Sequence, residues 1–145
     1  MIAYRICELK NNNLLTLFHG VNKSRKLPIN EWVDAEIKQV KDGSRRKSKL
    51  YTSGFHVLPT LEETRVFSNK FTAPRELVIV KCEIGDNYWE KTHSHSNVLL
   101  ADRIKLLYVA ATRSKYGLYM SYSGELTQLF PKKSNTYDFY KGVDL

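Results

Sequence analysis

Four histidines, two cysteines and a surplus of cations are the residues here with chemical reach. His93-Ser94-His95 is the tight histidine pair. In a strand, positions i and i+2 face the same way, so both imidazoles could reach one metal ion. A zinc site needs three or four ligands, and His19, His56 and Cys82 could complete one only if the fold gathers them. The competing account is a polar loop with two exposed histidines, and no metal is assigned. His56, in Ser53-Gly54-Phe55-His56, could serve as a base or as a donor to a ribose hydroxyl. It could equally be a half-buried strand histidine bonded to backbone. His19 has the same two readings, and Gly20 after it would let a ligand approach the backbone. No Ser-His-Asp, Cys-His or paired-carboxylate arrangement stands out. Glu62-Glu63 is explained by helix N-terminal charge.

The cations form clusters. Lys plus Arg is 23 against 15 for Asp plus Glu, a net charge of +8. This balance favours polyanionic partners: nucleotides, nucleic acid or an acidic protein. Lys23, Arg25 and Lys26 form one cluster and Lys132-Lys133 another. The densest is Arg45, Arg46, Lys47 and Lys49 within DGSRRKSK, a segment with a turn dipeptide and no apolar residue before Leu50. Such a loop could cover a phosphate backbone without reading sequence, or could simply be solvated. Arg113 and Lys115 sit among Tyr108, Tyr116, Tyr119 and Tyr122, and aromatics interleaved with cations suit stacking on bases. Aromatics filling a small β core would look similar.

The elements that must position these groups are mostly strands. Ile2, Tyr4 and Ile6 alternate with Ala3, Arg5 and Cys7 over residues 1–8, a period of two. Leu14 to His19 is a second strand, paired as a hairpin through a turn at Asn11–Asn13. Gly20 to Asn30 is loop. Residues 31–41 fit either a strand or one helical face, and the strand is preferred. Leu50 to Leu58 is a strand with a close-approach Gly54. One helix is expected over 59–72, with Thr60 as N-cap and Glu63 completing a capping box. Leu61, Val66, Phe67 and Phe71 give it a partly apolar face, and Ala73-Pro74 stops it. Glu76 to Ile84, ELVIVKCEI, is a central strand. Gly85 to Ser96 is a polar segment, and Asn97–Ala101, Arg103–Ala111 and Gly117–Tyr122 are further strands. The expected fold is therefore α+β: a mostly antiparallel sheet of seven or eight short strands and one helix. At 145 residues a single domain is expected, with 131–145 as a loosely packed tail. No apolar run reaches the roughly 18 residues of a membrane helix, and the start of the chain has no secretory pattern. A cytoplasmic protein with no membrane partner is expected, its Cys7 and Cys82 buried as small hydrophobes.

Three resemblances add to this. LLTLFHG at 14–20 is similar to the opening strand motif of the ADP-ribosyltransferase fold. LYTSGFHV, the helical PTLEETRVFSNKF, LVIVKCEIG and NVLLADRIKLLYVA follow in that fold's order. The resemblance implies a dinucleotide cleft between two small sheets, with NAD as the cofactor. His19 would meet a ribose, the aromatic Tyr51 would stack on nicotinamide, Ser53 and His56 would line the cleft, and Arg5 would meet a phosphate. Where that family carries its catalytic Glu, this chain reads HSHSNVLLAD. The implied protein thus binds a nucleotide on an ADP-ribosyltransferase-like scaffold without the full catalytic machinery. Separately, LYVAATRSKYGLYM at 107–120 resembles the sixth motif of superfamily-one helicases, with Arg113 at the phosphate-sensing position. The chain has no Gly-x-x-x-x-Gly-Lys-Ser/Thr loop, so this is taken as a chance match. The Asn- and Lys-rich texture resembles phage and prophage accessory proteins. Two readings result: a nucleotide- or nucleic-acid-binding accessory protein that acts on a host system, or a basic nucleic-acid-binding or inhibitor module directed at a host protein with an acidic surface.

Overall fold

The alternation over the first residues becomes a long strand, β1 (Ile2–Lys10), in a computed structural model that describes residues 1–17, 24–42, 49–71, 76–91 and 96–112. The hairpin into β2 (Asn13–Thr16) closes on two residues, with Lys10 opposite Asn13. Asn11 and Asn12 both have positive φ, 50° and 60°. A two-residue hairpin turn of the primed type needs this, and asparagine tolerates it better than most residues. The expected turn at Asn11–Asn13 is thus one residue tighter.

β8 (Leu77–Ile84) is the apolar ELVIVKCEI strand and lies inside the sheet, antiparallel to β1 on one side and to β11 (Arg103–Thr112) on the other. β3 (Lys26–Leu27) and β4 (Trp32–Asp34) complete a six-stranded sheet of order β3-β2-β1-β8-β11-β4. A second, three-stranded sheet has the order β7 (Phe55–Val57), β10 (Leu99–Ala101), β9 (Tyr88–Glu90). β5 (Gln39–Lys41) and β6 (Leu50–Thr52) form a separate ribbon. The main core joins Ala3, Cys7, Val78, Val80 and Cys82 of the large sheet to Phe55, Val57 and Ala101 of the small one. On the large sheet's other face, Ile6 and Leu77 pack with Leu17, Phe67 and Phe71.

The α+β, mostly antiparallel class is what the structure shows, with finer divisions than expected. Residues 31–41 hold two short strands, β4 and β5, which join different sheets. Residues 50–58 break into β6 and β7 at Ser53-Gly54, where the chain passes from the ribbon to the small sheet. The expected loop 20–30 contributes β3, and the polar segment after Gly85 contributes β9. β3 and β9 are two and three residues long, too short for alternation to mark them. Both cysteines are free and buried. No helix among the described residues is long and apolar enough to cross a membrane. The expected strand at 117–122 and the tail from 131 lie outside the described residues.

The helix, α1 (Leu61–Ser68), begins as its capping residues dictate. Thr60 is extended, and its Oγ1 accepts the Glu63 backbone N–H at 3.2 Å and donates to Glu63 Oε2 at 2.7 Å. Asn97 Nδ2 donates to Glu63 Oε1 at 2.7 Å, so the cap also ties the helix to the strand region before β10. The helix ends at Ser68, short of the expected residue 72. There the N–H groups of Lys70 and Phe71 turn to Phe67 and Ser68, three residues back. Thr60→Ala removes an N-cap side chain, and is expected to lower stability by about 1 kcal/mol in urea unfolding.

Candidate functional site

Arg5 is the buried cation of the fold. It extends from β1 between the two sheets and is 8% exposed. Its Nη1 donates to the backbone oxygen of His56 at 2.9 Å, and its Cζ lies 5.3 Å from the centre of the Phe55 ring. Its Nε is buried with no hydrogen-bond partner. Arg25, just before β3, reaches the same ring, with Cζ at 5.8 Å from the centre. The Arg25 backbone N–H donates to Thr16 Oγ1 at 2.8 Å, and its Nη1 donates to the Asp34 backbone oxygen at 3.3 Å. The carboxylates that form ion pairs among the described residues are paired with Lys38, Arg65, Lys91, Arg103 and Lys105, and not with Arg5 or Arg25. Two guanidiniums therefore share one aromatic ring without a described counter-ion. Burying an uncompensated cation costs free energy that only an anion or several hydrogen bonds can offset.

On the other side of β7 the ribbon contributes a second group. Tyr51 meets His56 edge-on, ring centres 5.8 Å apart. Lys91 Nζ sits 4.6 Å from the Tyr51 ring centre and 3.0 Å from Asp42 Oδ1. Trp89 Nε1 donates to the Thr52 backbone oxygen at 3.4 Å. Gly54 lies against this packing. A Cβ there would meet Ala101 O at 3.1 Å, Leu100 Cβ at 3.2 Å and Trp89 Cζ2 at 3.3 Å, so the close approach read from the sequence is present. Burial, and after it the charges of Arg5 and Lys91, lower the His56 pKa from 6.5 to about 3. The imidazole is thus neutral at pH 7 and offers one donor and one acceptor. It is too weak a base to hold a proton there. Burial also raises the Tyr51 phenol above its ordinary pKa.

The residues named from sequence are distributed as follows. Arg5, Tyr51 and His56 come together around β7, with Arg5 and Tyr51 on its two sides. Ser53 is adjacent but occupied: its hydroxyl donates to the Glu36 oxygen at 2.7 Å and accepts the Lys38 N–H at 2.8 Å. It holds the segment between β4 and β5 against the β6–β7 connection. Lys49 ends the basic cluster in sequence, its backbone oxygen accepting the Asp42 N–H at 2.9 Å. His19, Arg45, Arg46, Lys47, His93, His95, Arg113 and Lys115 lie outside the described residues. Among the described residues, no three His, Cys, Asp or Glu side chains are grouped to hold a metal.

Three residues join this neighbourhood without having been expected there: Arg25, Phe55 and Lys91. Arg25 carried a signal as part of a basic cluster, but nothing in its spacing pointed to Phe55, thirty residues away. An open depression of about 550 Å³ lies elsewhere, between Trp32 and the turn from β8 to β9, and includes none of the residues named from sequence. Comparisons with family models, curated proteins and solved structures found no match for this chain. The ADP-ribosyltransferase resemblance therefore rests only on the motifs that suggested it.

Proposed function

We propose that this protein binds a phosphate-bearing ligand of the nucleotide class, a dinucleotide such as NAD or a nucleic-acid strand, at the guanidinium pair on Phe55. The observation that carries the reading is Arg5, buried and with no carboxylate among its described contacts. A phosphate would supply the missing charge. Arg25, half-buried beside it, would make the outer contact through a charge-assisted bond. Tyr51 and the neutral His56, in edge contact on the other side of β7, would meet the base or ribose of a ligand that extends past that strand. In this reading the scaffold is ADP-ribosyltransferase-like, and it holds the ligand without turning it over, since no carboxylate among the described residues pairs with either guanidinium to stabilise an oxocarbenium ion.

The test is titration of the whole chain with NAD, ADP-ribose, ATP and a short single-stranded DNA, read by calorimetry. One of these is expected to bind, and Arg25→Ala is expected to weaken it by about tenfold or more, the worth of one hydrogen bond to a charged group. No binding by any of the four, or equal affinity in Arg25→Ala, would remove the proposal.

A second reading places nucleic acid on the basic segment 42–49. Its support is the bracing of that segment's two described ends, where Asp42 is held by both Lys91 and Lys49. Lys49, Arg45, Arg46 and Lys47 would then neutralise phosphates, with Arg113 and Lys115 as further contacts. The first four cations would give a salt slope of about −3, and all six about −4, since each phosphate neutralised on a single strand contributes about −0.7.

A further inference from the structure

The face of the six-stranded sheet opposite Arg5 carries two cross-strand rows that neither reading uses. In the first, Tyr4 is opposite Lys81, and Lys81 is opposite Tyr108. In the second, Ile2, Glu83, Lys105 and Trp32 follow one another across β1, β8, β11 and β4. Three cation–ring contacts lie on this surface. Lys81 Nζ lies 5.5 Å from the Tyr108 ring centre, Lys105 Nζ lies 5.1 Å from that of Trp32, and Arg103 Cζ lies 4.7 Å from the same ring. Trp32 is 39% exposed and Ile2 42%, and Tyr4, Lys81, Lys105 and Tyr108 are half-buried. Helix α1 packs over Ile6 and Leu77 on this face, further along the same strands.

We infer that this face binds single-stranded nucleic acid, with unpaired bases stacked on Trp32, Tyr108 and Tyr4 and phosphates on Lys81, Lys105 and Arg103. The proposal is independent of the guanidinium pair. Strands are about 4.8 Å apart, so Tyr4 and Tyr108 stand roughly 10 Å apart with Lys81 between them. That spacing alternates ring and cation along one line. Stacking on sheet aromatics beside cations is a sequence-tolerant way to hold an unpaired strand, because every base has a π-face. Lys81 has no ion-pair partner among the described residues. Lys105 and Arg103 are paired with Glu83 at 2.8 Å and Asp34 at 3.5 Å. Such exposed pairs are weak, so a phosphate can take the place of either carboxylate. The net charge of +8 draws a polyanion rather than a neutral or basic partner to this face, and the exposed ring beside the cations favours one that carries stackable bases.

The test uses the full chain and fluorescein-labelled twelve-residue oligo(dT) and oligo(rU), with anisotropy read at two salt concentrations. Wild type is expected to bind both with a salt slope of about −2 for three cations. Trp32→Ala should weaken binding by about 5- to 100-fold, the range for one base–aromatic stack, while Trp32→Phe keeps most of the affinity. Lys81→Glu should weaken it further as salt falls, and thymidine monophosphate should not displace the oligomer. Trp32 is exposed on a sheet edge, and an unchanged unfolding midpoint checks that the variant is folded. Three results would overturn the proposal: no binding by wild type, wild-type affinity retained in both Trp32→Ala and Tyr108→Ala, or loss of binding in Arg25→Ala alone. The last would assign the strand to the guanidinium pair instead.

Discussion

Between pH 6.5 and 4.5 the wild-type protein should lose about 2–3 kcal/mol of stability that a His56→Gln variant keeps. The expectation follows from linkage between protonation and folding. The His56 pKa is about 3 when folded, against 6.5 for an unburied histidine. Below pH 6.5 the unfolded chain takes up a proton that the folded chain refuses, so acid draws the equilibrium toward unfolding. The contribution is intact above pH 6.5 and is lost progressively as pH falls toward 3. Each pH unit inside that window costs about 1.4 kcal/mol. The upper half of the window isolates His56. Glu63 and Glu83 have pKa values held below 4.5, Glu63 by the Thr60 and Asn97 bonds and Glu83 by Lys105, so their losses begin only at lower pH. Urea unfolding of both proteins at pH 7 and pH 4.5 checks this. Equal losses in the two proteins would show that the imidazole protonates freely in the folded state.

Arg5→Met should stabilise the folded chain at pH 7 by about 1–2 kcal/mol while removing binding at the guanidinium pair. The replacement gives up the bond to the His56 oxygen, worth about 1 kcal/mol, and a contact with Phe55. It also removes a buried charge whose Nε has no partner, and replacing buried ionic groups by apolar side chains of similar volume is often stabilising by 1–4 kcal/mol. A thioether also packs well beside the Phe55 ring. A second consequence separates this account from simple repacking. The Arg5 charge is the second cause of the low His56 pKa, so Arg5→Met should raise that pKa and narrow the acid window. Unfolding curves at pH 7 and 4.5, with titration of whichever nucleotide binds wild type, test all three effects. A loss above about 2 kcal/mol at pH 7 would mean instead that the guanidinium holds the two sheets together.

The features legible in the sequence are those decided within a few residues. Alternation marked β1, which runs nine residues, and the apolar run ELVIVKCEI marked β8, which is buried on both faces over Leu77–Val80. The Asn-rich turn and the Thr60–Glu63 cap were legible because asparagine at positive φ and a hydroxyl at an N-cap act on their own backbone. The α+β class followed from counting such elements. β3 and β9 were not legible, since they fall in segments read as loop and as polar and owe their extended form to a neighbouring strand rather than to their own pattern. The division of 31–41 between two sheets was not legible either: its alternation was read correctly as extended, but only the pairing of Trp32 with Lys105 and of Val40 with Tyr51 decides where each half goes. The site divides in the same way. His56 could be picked out by residue type and Arg5 and Tyr51 through the resemblance, whereas their arrangement depends on contacts such as Arg5 to His56, fifty-one positions apart. The convergence of Arg25 on Phe55 and the lowered pKa of His56 come from tertiary packing alone. Burial and through-space charge depend on which surfaces the folded chain brings together, and spacing along the chain carries no measure of either.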